Sequence, residues 1–140
     1  MLCGSHNFEF GVSAQVFKLA LYTSISSYST SSTSYLAGTG NGEVSSVGTS
    51  YAAGGEVVSL ASTSGTVIGS NTAIVDYANL TFSSVSLTAA GAAIYNTSTT
   101  PSNMLILVLD FGGDKTATSG DFTIQFPANT ATDAIIRLGD

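Results

Sequence analysis

Cys3 and His6 carry the side chains most often used for chemistry, and each is the only one of its type in 140 residues. Together they have the groups of a thiolate–imidazole pair. A serine triad would have to recruit the same His6, and no Gly-x-Ser-x-Gly elbow accompanies it. Both residues fall in an N-terminal stretch that reads as a solvated arm, so neither arrangement is favoured. Asp110, Asp114 and Asp121 bracket Gly112-Gly113 and offer oxygens to a calcium ion. Their spacing fits no EF-hand, however, and Asp beside Gly ordinarily supports a turn through its own backbone. The nine acids give no spacing that places two carboxylates at the ~5–9 Å of a glycosidase pair, and there is no Trp to line a sugar cleft. Gly54-Gly55 and Gly112-Gly113 lack the Lys-Ser/Thr of a phosphate loop and read as turns. The residue types thus point away from an enzyme, and no cofactor is expected.

Tyrosine is the remaining candidate. Tyr28, Tyr35, Tyr51 and Tyr95 stand beside small polar residues and can form a partner-binding surface, with Tyr28, Tyr35 and Tyr51 the candidates for it. For any single one of them, half-burial over the edge of a sheet is the favoured reading. Phe8 and Phe10, two apart in the arm, share a face if the arm is extended.

Composition sets the frame that must position these groups. Only 9% of residues are charged, against 44% apolar, and Gly (15) with abundant Ser and Thr supplies the rest. Hydroxyls and glycine suit pleated sheets and turns, whereas helix surfaces want the Glu, Lys, Gln and Arg that are scarce here. The net charge is −6, with three basic residues, Lys18, Lys115 and Arg137. Three cations cannot build the basic face that phosphate neutralisation needs, so nucleic acid and anionic membranes are excluded as expected partners. A lone cysteine makes no intrachain disulfide. No apolar run approaches a membrane span, and no signal peptide is read at the start. Without one, Asn79-Leu80-Thr81 and Asn96-Thr97-Ser98 carry no weight as glycosylation acceptors.

The periodicity predicts an all-β chain. Phe17, Leu19 and Leu21 alternate with Lys18, Ala20 and Tyr22, which reads as a strand over 16–22. Residues 23–34 are low-complexity Ser/Thr, too poor in apolar groups to order themselves, and irregular sequence continues to Gly55. Asn41-Gly42 marks a turn, with a helical turn near 43–47. Residues 56–61 and 66–68 read as a hairpin around Ser64-Gly65, followed by strands at 73–75 and 79–82. A longer strand at 85–95 needs a bulge near Ala89-Ala90-Gly91, where small residues also let another backbone approach. Met104–Leu109 is an unbroken apolar run that reads as a central strand buried on both faces. Gly112-Gly113 ends it and turns the chain into a second strand, with Phe122, Ile124 and Phe126 on its buried side. On that reading Leu107→Asp abolishes folding. Phe126-Pro127 stops the ladder, and 134–138 forms a last strand. The expectation is one domain, a β-sandwich or jelly-roll-like barrel of about eight to ten strands over 16–140, loop-rich at 23–55, preceded by an arm over 1–15.

Several short words occur in an order that resembles a known group of proteins: Ala20-Leu21-Tyr22-Thr23-Ser24, Glu43-Val44-Ser45, Gly48-Thr49-Ser50-Tyr51-Ala52-Ala53-Gly54-Gly55, Ala93-Ile94-Tyr95-Asn96, Leu109-Asp110-Phe111-Gly112-Gly113-Asp114-Lys115, Thr123-Ile124-Gln125-Phe126-Pro127 and Ala134-Ile135-Ile136-Arg137. Over 6–138 the chain is similar to small virion proteins of tailed bacteriophages, best interpreted as capsid decoration, or cement, proteins. It departs from them over Met1–Ser5. The resemblance implies a homo-oligomer, with a trimer favoured, made in the bacterial cytoplasm. It would bind the major capsid protein on the outside of the head through the arm and the 23–55 loops. The alternative in the same setting is a tail-fibre or head-fibre module that grips host glycans. The resemblance brings no catalytic residues.

Overall fold

In strand β1, Phe17–Tyr22, every side chain but one is buried, and the alternation sends them to two different places. Phe17, Leu19 and Leu21 enter the main apolar core. Ala20 and Tyr22, on the other parity, enter a second, smaller cluster with Ala93 and Tyr95. The fully two-faced strand is therefore β1, and with it the adjoining half of its neighbour β5.

The structure is a computed structural model that describes residues 15–61, 67–68, 72–98 and 101–138. The arm candidates Cys3, His6, Phe8 and Phe10 lie outside the described residues. Among those described, the strands after β1 are β2 Glu56–Val58, β3 Val67–Ile68, β4 Thr72–Val75, β5 Leu80–Asn96, β6 Met104–Ile124 and β7 Ile136–Leu138. They form two antiparallel sheets, one ordered β2-β1-β5-β6 and the other β3-β4-β7. Val75 of the second sheet is buried in the same core as Leu19, Leu21 and Ile94 of the first, and Ile136 packs against it. The chain is all-β and sandwich-like, as its Ser, Thr and Gly content predicts.

Three expectations about the strands are corrected. Met104–Leu109 is not central: β6 lies at the edge of its sheet, and all six side chains are only half-buried. An edge strand has no neighbour on one side to cover it, which an apolar run alone does not disclose. Gly112-Gly113 is not a hairpin turn either. The strand continues through it to Ile124 in one direction, with Phe111–Asp114 set against Ala90 alone as a wide bulge. Both glycines take positive φ there, the conformation that lets extra residues be accommodated without reversing the chain. Finally, β2 pairs with β1, and β3 pairs with β4, so 56–61 and 66–68 do not form a hairpin with each other.

Other expectations hold. The register slips between Ala89 and Gly91. A Cβ at Gly91 would run into the Leu109 carbonyl and Ile25, so the close backbone approach there is real. Phe122, Ile124 and Phe126 are buried while Asp121, Thr123 and Gln125 are exposed. The 79–82 and 85–95 strands are one long β5, its register shifted between Phe82 and Val85 and again between Val85 and Leu87. The bulges curl the β5–β6 ribbon. Phe111 and Phe122, which would stand roughly 36 Å apart on a straight strand, bring their rings to 6.3 Å.

Candidate functional site

The second face of the β1–β5 pair carries the chain's most concentrated polar chemistry, and the 23–55 segment builds it. This segment is ordered, contrary to the reading of 23–34 as too polar to order itself. Tyrosines tie it down together with two aliphatic residues, Val44 in the main core and Ile25 against the second cluster.

Tyr22 ends β1 and is fully buried. Its hydroxyl donates to the Leu36 carbonyl at 2.8 Å. That leaves Tyr28 to donate to Tyr22 across 2.7 Å, while the Tyr28 oxygen accepts the Leu36 N–H at 3.1 Å. One residue, Leu36, is thus held at both its N–H and its C=O. Tyr35 lies flat on Tyr95, centroids 4.2 Å apart and planes 8° from parallel. The Tyr95 hydroxyl donates to the Gly54 carbonyl at 2.7 Å.

At the centre is Glu43, 3% exposed and bridged to Tyr22 in the sheet. One carboxyl oxygen accepts from the Tyr35 hydroxyl (2.8 Å) and the Gly38 N–H (2.6 Å). The other accepts from the Tyr51 hydroxyl (3.1 Å) and the Gly54 N–H (2.6 Å). Tyr51 in turn accepts the Leu21 N–H at 3.1 Å. Four donors saturate a group whose burial would otherwise be costly. Gly38 and Gly54 both adopt positive φ, which aims their N–H groups inward. Gly55 beside them admits no side chain, since a Cβ would collide with the Leu19 carbonyl.

The electrostatics fix the protonation of the ring hydroxyls. Burial, reinforced by their neighbours, pushes Tyr22 and Tyr35 well above the usual phenol range. Burial and Glu43 push Tyr51 up against the opposing bond from Leu21. Tyr95 is raised to about 12, by burial first and Glu43 second. At neutral pH all four are donors and none is a nucleophile. The cluster is a clasp that closes the 35–55 loops onto the sheet.

The sequence candidates separate accordingly. Tyr51 is buried, Tyr28 and Tyr35 are half-buried, and all three hydroxyls are engaged inside the protein. The acidic trio does not come together. Asp110 accepts the Gly112 N–H at 2.8 Å in a local turn, and Asp121 accepts the Ser84 N–H at 3.1 Å on the next strand. No group of three His, Cys, Asp or Glu residues gathers for a metal among the described residues. The curled ribbon forms an open cleft of about 430 Å³ lined by Phe111, Lys115, Phe122, Thr123, Ile124 and Gln125, without a carboxylate among these. Glu43 is the residue that sequence reading passed over. Its one signal was its position, a lone acid amid four tyrosines in a stretch without Lys or Arg.

Compared with protein-family models, with curated proteins and with solved structures, the chain shows no match. No helix among the described residues is long and apolar enough to cross a membrane.

Proposed function

We propose that this chain is a structural protein of the virion, a decoration protein that binds the outer face of an icosahedral phage head. There it meets the major capsid protein and, as a homo-oligomer, reinforces the shell. The family-like sequence words supply the setting. The observation that carries the reading is the clasp. Glu43 and its tyrosines spend their polar atoms on one another, so the 23–55 segment is rigid without a catalytic group in it. What it turns outward is exposed Ser and Thr, including Ser24, Ser26, Ser29 and Ser31.

A pre-ordered, uncharged, hydroxyl-bearing loop suits docking on a protein lattice. It loses little conformational freedom on binding and strips few charges of water. Repetition over a capsid lets modest contacts add up. In the alternative, a receptor-binding module, Tyr28, Tyr35 and Tyr51 would grip glycans. Their internal hydrogen bonds weigh against that role.

The test is a particle assembled with and without the protein. Loss of heat or low-salt resistance in its absence, with stoichiometric occupancy of the head in a cryo-EM map, is the expected result. Equal resistance together with binding of purified protein to host cells would replace this reading by the receptor one.

A further inference from the structure

One surface is left unfinished by the fold. Among the described residues, the outer side of β6 is covered only at its start. The Leu105 N–H donates to the Thr33 carbonyl, the Tyr35 N–H donates to the Asn103 carbonyl, and Ser34 bridges Met104. At the other end the Phe111–Asp114 bulge carries the strand out of line. Between these lies a bare window, Ile106–Asp110, in which no residue makes a further backbone pairing among the described residues.

The ladder shows which groups face out. Leu105, opposite Tyr95, turns its N–H away from β5. Antiparallel pairs alternate between bonded and unbonded. Leu107 opposite Ile94 and Leu109 opposite Ala92 therefore face inward, and Val108 opposite Ala93 and Asp110 opposite Gly91 face outward. Edge strands are normally guarded by Lys, Pro or inward-pointing charge. Ile106–Leu109 has none of these, and its side chains remain half-exposed.

We propose that this window pairs with the same window of a second copy, antiparallel about a two-fold axis through Val108. The match is with itself. A strand added here has room for only about five residues before it meets the Thr33–Tyr35 bridge or the bulge, and the partner's window has that length and ends at the same two obstacles. Pairing about Val108 sets Val108 against Val108, and Leu107 against Leu109 twice. It also keeps the two Asp110 carboxylates four residues apart, roughly 13 Å along the strand. Each Asp110 then lies opposite Ile106 of the other copy, at the end of the window, and sliding the register by two residues, so that Val108 faces Asp110, would halve the separation of the two acids. The contact is isologous, so it closes on itself as a dimer. A three-membered ring would need two different patches, and the two arrangements differ in mass. So short an interface is weak, with dissociation in the micromolar-to-millimolar range on area grounds. On a capsid, local concentration would compensate.

The experiment is analytical ultracentrifugation of the whole chain from 10 µM to 1 mM, alongside amide hydrogen exchange at both ends of that range. A reversible dimer is expected, with exchange at Val108 and Asp110 slowed by about twofold to eightfold at the high concentration, as mass action over a hundredfold range allows. Val108→Pro removes the outward N–H without touching an inward bond and should abolish the dimer. Val108→Lys, an edge guard, does the same if the proline variant does not fold. A chain that stays monomeric at 1 mM overturns the proposal. So does a trimer, or a dimer that survives both substitutions or leaves exchange at Val108 unchanged. None of these outcomes bears on capsid binding, which the particle experiment decides separately.

Discussion

The two faces of the β1–β5 pair are held by opposite kinds of physics. One face buries Phe17, Leu19, Leu21, Ala92 and Ile94 in an aliphatic and aromatic core. The other buries Tyr22, Ala93 and Tyr95 under a polar network centred on Glu43. The apolar face is stabilised by area removed from water and tolerates any filling of about the right shape. The tyrosine face depends on every donor finding its acceptor, so it fails when one atom is missing. The lesson is about specificity. The first face makes the chain fold, and the second dictates where the 23–55 segment lies.

The largest effect should come from placing a charge on the apolar face. Leu19→Asp puts an unpaired carboxylate at a position with no exposure, at a cost that rivals the whole stability of a domain. No cooperative melt by circular dichroism is expected. Leu107→Asp, on the half-exposed edge, should remain folded with a lowered melting temperature, because the carboxylate can reach water. If the two behave alike, the assignment of centre and edge is wrong.

Glu43→Ala attacks the other face. It leaves two hydroxyls and two backbone N–H groups without their acceptor, at a cost of roughly 2–4 kcal/mol after relaxation. The loss should be local: limited proteolysis is expected to cut within 35–55 while the sheets persist. A uniform loss of stability without new cleavage would show that the clasp is not a separate unit.

A smaller effect separates the buried acids. Asp76 is fully buried, and desolvation raises its pKa despite the Tyr77 N–H bonding to it. The fold therefore favours its protonated form. That contribution is complete below the carboxyl's unfolded value, near ~3.9, and is lost as pH rises through the folded value. Acidification from neutral should raise the melting temperature of the native chain relative to Asp76→Asn, and parallel pH curves would refute this. Smallest of all is Tyr77→Phe. The Tyr77 hydroxyl is buried in the apolar face with no hydrogen-bond partner among the described residues, so deleting it should be neutral or stabilising by up to about 1 kcal/mol. A marked destabilisation would reveal a partner for it.

The same division explains what could be read in the sequence. The β1 strand, the Phe122–Phe126 alternation and the slip at Ala89–Gly91 follow from local period and residue size, so they were legible. The edge position of Met104–Leu109 depends on which strand lies beside it, and six aliphatic residues look alike at centre and rim. The clasp was hidden for another reason. Its members, from Tyr22 to Tyr95, are joined by single hydrogen bonds between remote loops, and no periodicity encodes such a match. The doublet at 112–113 misled because it looks identical in sequence to 54–55, which does lie in a turn, closed by the Gly55 N–H on the Ala52 carbonyl. One pair makes a bulge, while the other points an N–H at Glu43 and presses a backbone against Leu19.

The exposed side of the β5–β6 ribbon is laced by hydroxyl pairs, Thr81 with Thr123 at 2.9 Å and Thr88 with Thr116 at 2.8 Å. Neutral pairs present nothing for counterions to screen. Where a surface of ion pairs would loosen in brine, this ribbon should hold the same shape in brine and in fresh water. On the proposed reading as a decoration protein, that insensitivity would suit a particle that leaves one cell's interior and meets water of any salinity.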